Sequence, residues 1–238
     1  MNEAAKDSRN SPLEALRGRL VVSCQAPHGD PLDDLGTLTR IATAVLRGGA
    51  GGLRAEGVER ITGFRGLTEL PIIGLIKSYD TNGDVHITPD FRSAKAASAA
   101  GADIIALDCT ARRLSADEPW PKLIQRIHGE LKRPVLADIA SVEDAIAAER
   151  AGADAVATTL YGYTPETAGI CTPSWDLVQR LIARLKIPVV VEGHITTPEE
   201  IRKAFELGAA AIVVGAAITR PEEITARFTK AVSRGARE

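Results

Sequence analysis

Cysteine is scarce in this chain: Cys24, Cys109 and Cys171 are spread over 238 residues. An odd, distant set of this kind argues against a disulfide framework and suits reduced thiols in the cytoplasm. Charge of one sign is also missing. The formal net charge is −2, with acids and bases mixed throughout, which gives no basic tract for nucleic acid or an anionic membrane surface. No apolar run approaches the ~20 residues that cross a bilayer. The stretch from Met1 to Asn10 is polar and lacks an apolar signal core, so export is not expected. No Cys/His set has zinc-site spacing, and no glycine-rich dinucleotide turn or Walker-type loop occurs. Neither a metal nor a nucleotide cofactor is therefore expected.

What the chain does contain is eight short apolar runs. They are Leu20–Gln25, Gly51–Arg54, Ile72–Lys77, Ile104–Asp108, Val135–Asp138, Ala155–Thr158, Val189–Glu192 and Ala211–Gly215. Most end on a polar side chain or a glycine, and each gap between them is long enough for a helix or a connecting turn. Ser11-Pro12-Leu13-Glu14 reads as a capping box before a short helix that Gly18 can stop. Leu35, Leu38, Ile41, Ala42 and Val45 form a helical stripe ahead of Gly48. Further helices are expected from Thr88-Pro89 to Gly101, Ser141 to Gly152 and Thr197 to Gly208, with amphipathic segments over Trp120–Leu131 and Trp175–Leu185.

Links between helix and strand repeat. Ala100-Gly101-Ala102-Asp103, Ala151-Gly152-Ala153-Asp154 and Leu207-Gly208-Ala209-Ala210 alternate with Leu70-Pro71, Arg133-Pro134 and Ile187-Pro188. Each kind returns roughly every two βα units. This alternation predicts an α/β fold: a single (β/α)8 TIM barrel, with a short N-terminal helix before the first strand. The expected organisation is a flexible tail over residues 1–11 and a catalytic barrel over 12–238.

A closed barrel places all eight strand ends on one rim, where barrel enzymes carry out their chemistry. Lys77 ends a fully apolar run, where low dielectric disfavours its charged form and suits a base or a Schiff-base nucleophile. Glu192 ends another and can act as a general base or neutralise the lysine. Asp108 and Asp138 can bind a sugar hydroxyl or cap their own loops. Arg54 can bind an oxyanion; Gln25, Thr158 and Thr159 offer both donors and acceptors. Gly193, then Gly215-Ala216-Ala217 ahead of a helix beginning near Thr219-Arg220-Pro221-Glu222, read as a phosphate cradle, because small residues let backbone N–H groups approach an oxyanion. Arg220 adds a charge there, or pairs with a nearby glutamate.

The ordered set Val22-Ser23-Cys24-Gln25-Ala26, Leu53-Arg54-Ala55-Glu56-Gly57, Ile73-Gly74-Leu75-Ile76-Lys77, Ile87-Thr88-Pro89 and Ala137-Asp138-Ile139 continues through Thr158-Thr159-Leu160-Tyr161-Gly162-Tyr163-Thr164. It closes with Glu192-Gly193 and Val213-Val214-Gly215-Ala216-Ala217-Ile218-Thr219-Arg220-Pro221. This set resembles the N-acetylmannosamine-6-phosphate 2-epimerase family. The resemblance implies a cofactor-independent isomerase of sialic acid breakdown, which converts N-acetylmannosamine 6-phosphate to N-acetylglucosamine 6-phosphate. It implies that Lys77 and Glu192 are catalytic, with Gln25, Arg54, Asp108, Asp138, Thr158 and Tyr163 as substrate contacts. Gly193, His194, Gly215, Ala216 and Arg220 would hold the phosphate, and the assembly would be a homodimer.

Three places depart from the family pattern, one of them the segment Ala111-Arg112-Arg113-Leu114 after Asp108-Cys109-Thr110, where a proline-rich run is usual. Ser78 follows the lysine where arginine is common, and His194 stands where a fixed positive charge is common. Two rival readings remain: a Schiff-base-forming phosphate-binding barrel of the thiazole synthase or aldolase kind, and a sugar-phosphate-binding barrel without turnover.

Overall fold

A computed structural model describes residues 11–79, 85–114 and 117–235; the expected tail, apart from Ser11, lies outside them. The first half contains α1 (Pro12–Ala15), β1 (Leu20–Ser23), α2 (Leu35–Arg47), β2 (Gly52–Glu56), α3 (Val58–Arg65), β3 (Ile72–Leu75), β4 (Lys77–Tyr79), β5 (Val85–Ile87), α4 (Phe91–Ala99) and β6 (Ile104–Asp108). The second half contains α5 (Trp120–Arg126), β7 (Val135–Asp138), α6 (Val142–Ala151), β8 (Ala155–Ala157), α7 (Trp175–Arg184), β9 (Val189–Glu192), α8 (Pro198–Leu207), β10 (Ala211–Val214), α9 (Ala216–Thr219) and α10 (Pro221–Gly235).

Eight of the strands close into a parallel barrel in the order β1-β10-β9-β8-β7-β6-β3-β2. This is the expected (β/α)8 architecture. The register sets Val22 against Val214, Val213 against Glu192, and Asp108 against Asp138. Because side chains alternate along a strand, every second residue points into the barrel. Val21, Ile73, Ile104, Ala106, Leu136, Ala155, Val190 and Val213 meet there in one buried cluster. The intervening residues, such as Val22, Leu53, Ile105, Ala137 and Val156, face the helices and build a second cluster.

Leu16, just after α1, is 1% exposed and joins the inner cluster, so the short helix closes the amino-terminal end of the barrel. Gly52 makes room for it: a Cβ there would lie 2.7 Å from the Leu16 side chain and 2.8 Å from the Pro71 carbonyl oxygen.

Caps at Ser141 and Thr197 are reciprocal capping boxes, as the sequence predicts. Other boundaries differ. Ser11 makes no side-chain cap bond, although the helix does start at Pro12. Thr88 does not open a helix. It sits at φ +49 with its backbone N–H on the Ile76 carbonyl, and Asp90 caps α4 instead by accepting from the Ser93 N–H. The segment after α5 widens into a π-turn over Ile127–Leu131, ended by Lys132 at φ 54. The run ending at Lys77 breaks at Ile76, and Lys77 begins the antiparallel β4–β5 hairpin, pairing with Ile87. Thr158 starts a 3-10 turn rather than ending a strand. Among the described residues, no helix is long and apolar enough to cross a membrane.

Candidate active site on the carboxyl-terminal rim

Strands β7 and β9 end on Asp138 and Glu192, and β2, which runs two residues past the expected end at Arg54, carries that arginine near its end; the alternation points all three inward. Arg54, Asp138 and Glu192 therefore converge although they are far apart in sequence. Arg54 is only 1% exposed. Its guanidinium grips Asp138 with two bonds, Nη1 to Oδ1 at 3.0 Å and Nη2 to Oδ2 at 2.7 Å. Nη1 also donates to Glu192 Oε2 at 2.7 Å. One buried cation thus serves two carboxylates, a geometry that suits the planar fork of arginine. The Thr159 hydroxyl donates to Asp138 Oδ1 at 2.5 Å.

The electrostatics follow from this packing. Burial alone would lower the Arg54 pKa, but the charges of Asp138 and Glu192 outweigh it and raise the value above that of ordinary arginine. Burial pushes the Glu192 carboxyl up to about 7, with Asp138 adding to the shift and Arg54, Thr159 and Lys77 opposing it. Lys77 moves the other way. Burial holds it below the ordinary lysine value, helped by Arg54 and Arg60, while Glu56 and Glu192 pull it back. A carboxyl raised to near neutrality and a lowered lysine in one mouth form a pair suited to exchanging protons.

Sequence reasoning gave no role to Arg60 or Glu56. Arg60, on α3, forms ion pairs with both Glu56 and Asp33. The signal available was spacing: Glu56 lies two residues beyond Arg54, on the same inward side, and Arg60 follows it by one helical turn.

The other expected residues fall into distinct places. Gln25 donates to the Ser23 hydroxyl at 2.9 Å. Asp108 is fully buried and turned to its own loop: Oδ1 accepts from the Thr110 N–H and hydroxyl, and Oδ2 from Arg112 at 2.8 Å. The Thr158 hydroxyl donates to the Glu192 carbonyl at 2.8 Å and accepts from the Glu192 N–H at 3.1 Å, which fixes the backbone of β9. It has no further proton to give a ligand. Its neighbour Thr159 carries the side-chain contact to the charged centre.

On the side of β9 and β10, Gly193 adopts φ +96 and His194 φ 59, two successive left-handed residues that turn the chain sharply. The His194 ring places Nε2 2.9 Å from the Tyr161 carbonyl oxygen, so Nε2 carries the proton, and the ring stacks on Tyr163 with centroids 5.4 Å apart. Tyr163 is 60% exposed. Gly215 precedes α9, and Arg220, at its end, pairs with Asp30 at 3.3 Å and Glu223 at 3.4 Å. Cys24 and Cys109 are buried, and burial pushes the Cys24 thiol up to about 12, so neither is an activated nucleophile.

Fold and site together define a (β/α)8-barrel enzyme whose ionisable side chains meet on the carboxyl-terminal rim. Residues 38–234 match a family model described as "Putative N-acetylmannosamine-6-phosphate epimerase", and the chain belongs to that family. A Clostridioides difficile protein named as such a 2-epimerase is 43% identical over 222 residues, covering 92% of this chain and 98% of that protein. A Thermosynechococcus vestitus protein of the same name is 49% identical over 204 residues, covering 86% and 89%. The solved structure of the N-acetylmannosamine-6-phosphate 2-epimerase from Clostridium perfringens superposes with a TM-score of 0.88 at 41% identity, covering 92% of this chain and 95% of that one. A thiamine phosphate pyrophosphorylase from Pyrococcus furiosus shares the fold alone, at 19% identity and a TM-score of 0.61 over 89% and 91% of the two chains.

Proposed function

We propose that this protein inverts C2 of N-acetylmannosamine 6-phosphate to give N-acetylglucosamine 6-phosphate, with Lys77 and Glu192 as its acid–base pair. The observation that carries the reading is the Glu192 carboxyl, bonded to the buried Arg54, pushed up to about 7 and within electrostatic reach of Lys77, which is held below its usual value. The C2 hydrogen of the open-chain sugar lies next to the C1 aldehyde and is acidic for that reason. A base takes this proton, the electron pair moves onto the C1 oxygen as an enolate, and a proton returns to C2 from the opposite face. A cation or hydrogen-bond donor near the C1 oxygen stabilises the enolate, and the Lys77 ammonium supplies it. No bond to the protein forms, which separates this reading from a Schiff-base barrel.

The phosphate is assigned to the N–H groups of Gly193, Gly215 and Ala216, with Arg220 and His194 beside them. In support, Gly193 sits at φ +96, a backbone conformation that side chains disfavour, which lets the chain turn sharply at this point of the rim. Gln25, Asp138 and Tyr163 are assigned to the sugar. The balanced surface charge supports a small anionic substrate rather than nucleic acid, and the two buried free thiols suit a reducing cytoplasm. A homodimer is the inferred assembly, supported by Phe228 and Val232, each 72% exposed and one turn apart on α10.

Turnover of N-acetylmannosamine 6-phosphate in deuterium oxide, followed by proton NMR, tests the chemistry. The product is expected to carry deuterium at C2, and Glu192→Gln to lower kcat by at least ~10²-fold. Full retention of protium, or a covalent sugar adduct on Lys77 after borohydride reduction, would overturn the reading.

A further inference from the structure

Arg54 Nη1 is shared between two acceptors, Asp138 Oδ1 at 3.0 Å and Glu192 Oε2 at 2.7 Å. The shorter bond goes to Glu192. Asp138 Oδ1 has a second donor, the Thr159 hydroxyl at 2.5 Å, whereas Oδ2 is held by Arg54 Nη2 at 2.7 Å. An acceptor that already takes a short, charge-assisted bond competes less strongly for a shared N–H. The direction of Nη1 therefore depends on a residue that follows β8, four strands away from the arginine around the barrel wall.

We propose that Thr159 is a positioning residue for the reaction: by donating to Asp138 Oδ1, it leaves Arg54 Nη1 directed at the Glu192 carboxylate. This rests on the acid–base reading of Glu192. Thr159 itself touches neither the transferred proton nor the reacting carbon. It acts through Asp138 and Arg54, and its neighbour Thr158 completes the arrangement by fixing the backbone of Glu192 on both its N–H and its carbonyl. Two adjacent threonines thus divide the work, one holding the main chain of the catalytic glutamate and the other orienting the cation that holds its side chain.

A merely structural threonine would close its 3-10 turn and nothing more. Thr159→Val keeps the shape and removes the hydroxyl. Without its second donor, Asp138 Oδ1 draws Nη1 back, and Glu192 loses its best partner. The pH limb belonging to Glu192 is identified as the one that Glu192→Gln abolishes. In Thr159→Val this limb is expected to move to higher pH and kcat to fall by ~10- to 10²-fold, the scale of a small misplacement of a catalytic group, with KM within about twofold of wild type. Thr159→Ser, which restores a hydroxyl without the methyl group, should recover both the limb and most of kcat. If Thr159→Val does not fold, Thr159→Ala is read on the same limb.

A wild-type limb and kcat in the valine or alanine variant would overturn the proposal. So would failure of serine to rescue, or a change confined to KM, which would make Thr159 a substrate contact. Normal turnover by Glu192→Gln is a different failure: it removes the acid–base reading itself, whatever the Thr159 variants show.

Discussion

Replacing Arg54 with methionine tests the charged centre most directly, because the side chain keeps its volume in part and loses its charge. Arg54 is 1% exposed and makes three bonds to two carboxylates, one of which, Asp138, is fully buried. Removing one partner of a buried ion pair leaves uncompensated charge, at a cost of ~3–5 kcal/mol. For a barrel of this size that corresponds to a fall in Tm of roughly 6–20 °C. The loss should also depend on pH. In the wild type the Glu192 carboxyl is raised from 4.5 to about 7, so between those values the folded state holds a proton that the unfolded chain releases, and stability falls as pH rises. Without Arg54 the Glu192 carboxyl loses the cation that opposes its shift and rises further. The window of declining stability then extends above neutrality, and the gap between variant and wild type widens with pH. Thermal melts followed by circular dichroism at about pH 5.5 and about pH 8 measure this. A gap that is equal at the two pH values, or larger in acid, would refute the account of a cation holding two carboxylates.

Two further expectations concern the rim and the surface. Arg220→Ala should raise KM for the phosphorylated sugar more than it lowers kcat, as for a group that binds substrate and transition state alike; steady-state kinetics with unchanged KM would remove Arg220 from the phosphate site. Phe228→Glu should convert a dimer to a monomer in sedimentation equilibrium without changing the fold, since the side chain is 72% exposed on α10; a wild-type protein that sediments as a monomer would refute the inferred assembly.

Much of the architecture is legible in the chain because its causes are local. A run such as Val135–Asp138 or Val189–Glu192 is apolar up to its last residue because a barrel strand is dry until it reaches the rim. Ser141 and Thr197 cap helices through bonds three residues away, so their sequence context contains all that is needed. The convergence of Arg54, Asp138 and Glu192 is also foreshadowed, since each lies at or near the carboxyl end of a strand and the topology closes those ends into one ring. Alternation along β8 even carries an overlooked signal. Ala155 and Ala157 face the interior, and although the strand gives way to a 3-10 turn at Thr158, it is Thr159, next in that spacing, that reaches the charged centre.

What only the tertiary structure decides is which partners these groups choose. Asp108 and Asp138 stand opposite each other in register and look alike in sequence, yet one turns to Thr110 and Arg112 in its own loop and the other to an arginine from a distant strand. Thr88 loses its role as a helix start because its N–H and hydroxyl both bond to Ile76 across the base of the β4–β5 hairpin. Likewise, Glu192 is an ordinary glutamate in sequence. Its near-neutral pKa arises when burial and the neighbouring charge of Asp138 outweigh Arg54, a balance of desolvation against distance that no linear spacing contains.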